Sequence, residues 1–197
     1  MLEEHHLVGS RLFPSRNELI ASLDTARGGR IAEIGVALGD FSALLLETLQ
    51  PTKFVAFDTF EMDNWPDVWG RPKSEVFKGK THSEFYRDRF RNRPEVIIEP
   101  GDSKSTLQRY RDQSFDLIYI DADHTYEGVK ADTEIARKKI TADGILMFND
   151  YIMFDHFSHV PYGVVQAVNE LIVAEDWRVI GYALNPHLFC DIAIRRV

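Results

Sequence analysis

A chain of 197 residues, 44% of them hydrophobic, is long enough for a sizeable core and too short for two ordinary domains, so it reads as one domain. Its formal charge of −8 disfavours a nucleic-acid backbone as partner, because phosphate binders concentrate Lys and Arg. A single cysteine, Cys190, excludes an intramolecular disulfide and fits a reducing, cytoplasmic setting, and neither a secretory pattern nor a stretch near the roughly 18 apolar residues of a membrane span is visible.

In chain order, residues 1–14 read as an arm. Ser15, followed by Glu18, is a cap for a short helix over 15–26 with Leu19, Ile20 and Leu23 on its apolar side, ending before Gly28-Gly29. Residues 1–29 thus form an N-terminal arm and helix, and 30–197 the domain proper. A first strand, 30–34, leads into the turn Gly35-Val36-Ala37-Leu38-Gly39 and a helix over 41–49 stopped by Pro51. A second strand, 53–57, ends in Asp58.

Periodicity disappears over 59–80, where Trp65, Pro66, Trp69, Gly70, Pro72 and Gly79 accumulate. A loop of this length is uncommon in a compact domain, and two tryptophans argue against disorder. It reads as a lid or substrate wall, or as an ordered surface insertion. A helix over 83–91, a third strand over 95–99 and a helix from Gly101-Asp102-Ser103 to 111 follow. The basic clusters at 87–93 and 109–111 read as solvated helix faces.

Residues 115–151 are the most informative stretch. The apolar run 117–120 ends at Asp121; a helix over 126–140 places Val129, Ile135, Ala136 and Ile140 on one side; Asp143-Gly144 turns the chain; and a second run, 145–148, ends in Asn149-Asp150. A strand, helix, strand unit with a right-handed crossover brings Asp121 and the Asn149/Asp150 pair to one edge of a parallel sheet, the edge where open α/β sheets bind ligands. A helix over 164–174 precedes two alternating segments, 177–184 and 189–196, too closely joined for a crossover helix and therefore antiparallel neighbours.

Gly35 and Gly39 fit a turn where a ligand approaches backbone ahead of a helix N-terminus, with Ser42 as an added hydroxyl donor, although a tight turn in any α/β protein would look the same. Gly-x-Gly-x-x-Gly is absent. Asp58, about 20 residues beyond the turn, suits a ribose diol because a carboxylate accepts two hydrogen bonds; the competing assignment is a loop cap.

Glu33-Ile34-Gly35 with Gly39 and Ser42, Asp58-Thr59-Phe60-Glu61, Gly101-Asp102-Ser103, and residues 115–151 followed by Tyr162-Gly163-Val164 together resemble the class I S-adenosylmethionine-dependent methyltransferases. The likeness is nearest to small-molecule O-methyltransferases acting on macrolide sugars, more distant to the catechol and caffeoyl-CoA enzymes, and runs from about residue 30 to residue 169. It implies a Rossmann-like, doubly wound α/β fold: a mostly parallel seven-stranded sheet of order 3-2-1-4-5-7-6 with a C-terminal antiparallel hairpin. Glu33, Gly35, Gly39 and Ser42 would surround the methionine moiety of S-adenosylmethionine, Asp58 its ribose, Asp102 and Ser103 its adenine, with Asp121 also at the cofactor.

In metal-dependent members Mg²⁺ is held at the positions of Asp121, Asn149 and Asp150, where Asn-Asp departs from the usual pairs; all three side chains offer hard oxygen ligands. His124 falls at the place of the general base, and imidazole with a pKa near 6.5 suits that task, the alternative being a surface residue beside a helix start. Trp65, Trp69 and Phe60 are expected on the acceptor side, with Tyr151, Phe154, His156 and His159 as further wall candidates. The partner so implied is a small-molecule hydroxyl acceptor, with no nucleic acid and no membrane; a homo-oligomer is left open. Two rivals are a binder of S-adenosylmethionine without transferase activity and a nicotinamide-dependent oxidoreductase.

Overall fold

The computed structural model describes residues 1–197. β1 (Arg11–Phe13) and α1 (Arg16–Ala21) precede the first repeat, β2 (Arg30–Ile34) and α2 (Asp40–Leu49). Next come β3 (Lys53–Asp58), the short α3 (Lys73–Phe77), α4 (His82–Arg89), β4 (Val96–Pro100) and α5 (Ser103–Thr106). The central unit is β5 (Phe115–Ile120), α6 (Tyr126–Lys139) and β6 (Ile140–Phe148). A small hairpin of β7 (Phe154–Asp155) and β8 (Val160–Pro161) leads to α7 (Val164–Ala174), β9 (Trp177–Ala183) and β10 (Asp191–Arg196).

One sheet carries the order β4-β3-β2-β5-β6-β10-β9-β1. β4, β3, β2, β5 and β6 run parallel, while β10 is antiparallel to both β6 and β9. Without β1 this is the expected seven-stranded order and hairpin. The eighth strand comes from the segment read as an arm: Arg11, Leu12 and Phe13 pair in parallel with Gly181, Tyr182 and Ala183. Three residues are too few to show a period of two, so sequence pattern could not reveal it.

Asp143-Gly144 also differs from expectation. It lies within β6 as a bulge, with Phe115 opposite Ile140 but Leu117 already opposite Ile145, so the intervening residues are looped out of register.

The central strands are buried on both faces, and alternate residues divide between them. Ala32, Ile34, Val55, Phe57, Ile118, Ile120, Leu146 and Phe148 pack against Val129 and Ala136 of α6 and Val168 and Ile172 of α7. Ile31, Phe54, Ala56, Leu117, Tyr119, Ile145 and Met147 pack against Leu19 and Ile20 of α1 and Leu45, Leu46 and Leu49 of α2. Each Val, Leu, Ile, Phe or Met among them contributes about 1.5–3 kcal/mol. Glu33 belongs by alternation to the second face, which is why a carboxyl lies under α2.

Caps set the helix starts. The Ser15 hydroxyl accepts from the Glu18 N–H, Thr81 and Glu84 form a reciprocal box, and the Thr125 hydroxyl accepts from the Gly128 N–H; each such cap contributes about 1 kcal/mol. No helix is long and apolar enough to cross a membrane.

Candidate active site

The site is built on the carboxyl ends of β2, β3, β5 and β6, aligned because the backbone ladder continues one residue past the strands. The Gly35 N–H donates to the Phe57 carbonyl (2.8 Å), Asp121 N–H to Ile34 (2.8 Å) and Asn149 N–H to Ile120 (3.0 Å). Gly35, Asp58, Asp121 and Asn149 therefore stand side by side, as the strand pattern predicts. Above them opens a cavity of about 740 Å³, lined among others by Glu33, Gly35, Asp58, Asp102, Ser103, Asp121, His124 and Asp150.

At the β2–α2 turn the backbone is committed to left-handed φ at Gly35 (83°), Ala37 (44°) and Gly39 (83°). A Cβ on Gly35 would lie 2.1 Å from the Asp121 carbonyl oxygen, so this glycine lets the ends of β2 and β5 touch. Gly39 serves a different purpose from the one expected: a Cβ there would meet the rings of Phe90 and Tyr86 at 2.8 and 2.9 Å, so it is a packing glycine, away from the cavity lining.

Ser42 is likewise displaced from its expected place. It is fully buried, donates to the Glu33 carboxylate at 2.5 Å and accepts from the Tyr86 hydroxyl at 2.8 Å, so it supports Glu33 from behind. Burial pushes the Glu33 pKa well up, with the Ser42 hydrogen bond pulling against it. One Asp58 oxygen accepts from the Val36 N–H (2.8 Å) and the Ala37 N–H (3.4 Å), the other from the Phe60 N–H (2.7 Å). Asp58 thus ties the glycine turn to β3, with three of its roughly four lone-pair sites taken and one left for a ligand hydroxyl.

At the far side, Ser103 donates to Asp132 at 2.5 Å, and both line the cavity beside Asp102. Asp132 was not found from sequence. Its signal is a carboxylate on the buried side of α6, and burial raises its pKa.

His124 Nε2 lies 3.5 Å from Asp121 Oδ1 and 3.8 Å from Asp150 Oδ2, with its ring stacked on Tyr162 at 4.6 Å. Burial lowers the His124 pKa, but Asp121, Asp150 and Asp123 outweigh it and the net shift is upward. Asp150, at φ 49° where the chain turns off β6, has its pKa raised to about 6 by burial and by Asp121, against His124 and Arg16.

Arg16, at the start of α1, is the second residue sequence reading missed. Its Nη1 donates to Asn149 Oδ1 (3.2 Å) and to the Tyr119 hydroxyl (3.3 Å), its guanidinium lies 4.7 Å from the Phe41 ring centre, and it lines the cavity. Asn149 is buried between two opposite demands. Its Oδ1 accepts from Arg16 and from the Tyr119 hydroxyl (3.0 Å), and its Nδ2 donates to Asp121 (2.9 Å).

That arrangement does not fit the expected Mg²⁺ ligand set of Asp121, Asn149 and Asp150. A hard cation needs the amide oxygen, which here accepts from Arg16 and competes with Asp191 for the Tyr119 hydroxyl proton. Turning the amide over would set NH₂ against guanidinium and oxygen against carboxylate.

The 59–80 segment carries its own small core, Met62, Val68, Val76 and Phe77, packed on Ala37, Leu38 and Phe85 above the glycine turn. Trp65 and Trp69 line the cavity and remain 45% and 66% exposed. Phe60 does not line it; it is buried against His82 and Tyr86. Nor do Tyr151, Phe154, His156 and His159, since the residues after β6 turn away into the β7–β8 hairpin; Tyr162 holds the wall position.

A family model described as a methyltransferase domain matches residues 32–151. No curated protein sequence matches the chain. Among solved structures, the O-methyltransferase of Bacillus cereus in complex with SAH is 18% identical with a TM-score of 0.64, over 98% of this chain and 85% of that one. An SAH-bound methyltransferase of Podospora anserina is 18% identical with a TM-score of 0.61, over 92% and 78%. A tRNA methyltransferase of Bacillus subtilis is 13% identical with a TM-score of 0.60, over 94% and 67%. At these identities the likeness is one of fold, and the fold is common to unlike acceptors.

Proposed function

The chain belongs to the methyltransferase-domain family and is a class I S-adenosylmethionine-dependent methyltransferase; we propose that it methylates a hydroxyl of a small molecule with His124 as general base. One observation carries the reading: a single cavity joins the Glu33, Gly35 and Asp58 end to the His124, Asp150 and Trp65 end, so donor and acceptor can meet without leaving protein. At about 740 Å³ it lies within the usual range of small-molecule sites.

When bound, S-adenosylmethionine supplies a methyl group on a positively charged sulfur. Gly35 lines the cavity with bare backbone, Asp58 offers its remaining lone-pair site to a ribose hydroxyl, and Asp102, Ser103 and Asp132 offer polar atoms to a base. His124 takes the acceptor's hydroxyl proton on Nε2, which is buried beside Asp121 and Asp150 at 3.5 and 3.8 Å. Asp121 and Asp150 stabilise the imidazolium that results. The acceptor oxygen forms its bond to the methyl carbon as the carbon–sulfur pair returns to sulfur, leaving S-adenosylhomocysteine. Trp65, Trp69 and Tyr162 keep water from the acceptor and hold it in line, where most of the acceleration arises.

Transfer from methyl-labelled S-adenosylmethionine to a panel of phenols, sugars and hydroxy acids, followed by mass spectrometry of the product, tests this. Methyl ether formation is expected. Cofactor binding with label transferred to no hydroxyl, or methylation at nitrogen or carbon instead, overturns it.

A further inference from the structure

The misfit between Asn149 and a metal ion leaves a question of charge, and Arg16 answers it. Its backbone N–H is held by the Asn185 side chain at 2.9 Å, Nη1 by Asn149 and Tyr119, and the guanidinium plane by the Phe41 ring. Nε and Nη2 make no hydrogen bond within the protein, and the side chain lines the cavity that holds Asp121, His124 and Asp150. Asp121 and Asp191 both interact electrostatically with Arg16. A divalent cation there would have to enter beside a fixed guanidinium and an imidazole, and take the Asn149 oxygen from Arg16, whose Nη1 would keep only the Tyr119 hydroxyl as partner.

We propose that this chain transfers methyl groups without a divalent cation, Arg16 supplying the fixed positive charge beside the acceptor and donating through its unpaired N–H groups to an acceptor oxygen. The inference rests on the reading of the chain as a hydroxyl methyltransferase, but its metal arm does not. Arg16 holds the acceptor; it plays no part in proton removal. Because a guanidinium is planar with donors in a fork, it suits an acceptor with two neighbouring oxygens, the diol or hydroxy acid class.

Manganese(II) titration of the wild-type protein, followed by electron paramagnetic resonance, tests the metal arm without turnover. No saturable binding is expected; a stoichiometric site lost in Asp121→Asn overturns the proposal. Turnover is expected to survive EDTA unchanged, and its loss, restored by Mg²⁺, overturns it equally. Arg16→Ala should raise the acceptor KM at least tenfold, about the loss of one charged hydrogen bond, while calorimetry finds S-adenosylmethionine affinity unchanged. Arg16→Lys should recover part of the loss. An unchanged acceptor KM in a folded Arg16→Ala protein removes the residue from the acceptor site. If no acceptor is methylated at all, the hydroxyl reading fails instead, and the manganese result still decides whether a metal binds.

Discussion

The two halves of the cavity are built by different means. The half around Gly35 and Asp58 is made chiefly of backbone: left-handed turns, strand ends in register, and a carboxylate gathering the N–H groups of Val36, Ala37 and Phe60. The half around His124 is made of side chains that reach it from α1, β5 and the loops after β5 and β6. Backbone geometry leaves little latitude in the first half. Side-chain geometry in the second can be altered one contact at a time, which leaves acceptor choice open to change while the cofactor end stays fixed.

The largest effect should come from disturbing the backbone half. Gly35→Ala sets a methyl group 2.1 Å from the Asp121 carbonyl at a φ of 83°. We expect cofactor binding to be lost by calorimetry and Tm to fall by roughly 5–10 °C, the scale of a few kcal/mol in a domain of this size. Normal affinity and Tm would break the comparison, because the turn would then have shown slack.

His124→Gln should lower kcat by about 10²–10⁴ and leave cofactor affinity intact. Its pH profile sharpens the point. Asp121 and Asp150 raise the imidazole above its ordinary value, so the neutral base is populated only at higher pH, and wild-type kcat should climb on the alkaline side of the usual histidine midpoint. A rate that is flat there contradicts the base assignment. Asp58→Asn comes next: loss of the negative charge should weaken cofactor affinity by about 10- to 100-fold with acceptor KM nearly unchanged, read by calorimetry and kinetics.

The smallest effect is expected behind the acceptor half. Asp191 is fully buried, and its pKa is raised to about 7 by burial, with Arg16 and Tyr119 opposing and Asp121 and Asp150 assisting. A carboxyl whose folded pKa lies above its unfolded value contributes stability that is fully present below about pH 4 and is lost as pH rises from there to about 7. Tm of the wild type should therefore decline across that window, and Asp191→Asn should flatten the decline. Parallel curves for the two proteins would show that Asp191 does not titrate there.

The same division explains what could be read in the chain of letters. Apolar runs that end in Asp58, Asp121 and Asn149-Asp150 are local patterns, and parallel register does the rest, so these residues could be placed on one rim before any coordinates. The sheet order comes from the resemblance to class I methyltransferases, because runs alone fix strands and not their neighbours. What failed was decided by packing across the chain. Gly39 and Ser42 have the spacing of ligand-binding residues, but the rings of Tyr86 in α4 and Phe90 just after it claim that side of the turn. The aromatic residues after β6 turn into a hairpin instead of the cavity, since Asp150 takes a left-handed φ that no pattern of hydrophobicity reports. Arg16 was invisible for the plainest reason: Asn149 and Tyr119 stand 133 and 103 residues away.

Pairing of β1 with β9 also bears on how the protein comes into being. Residues 11–16 leave the ribosome long before Gly181 to Ala183 and Asn185, which seat them. A nascent chain can therefore close its parallel strands while the Arg16 N–H still lacks its Asn185 partner. The edge of the sheet is thus completed when a segment made early meets one made late.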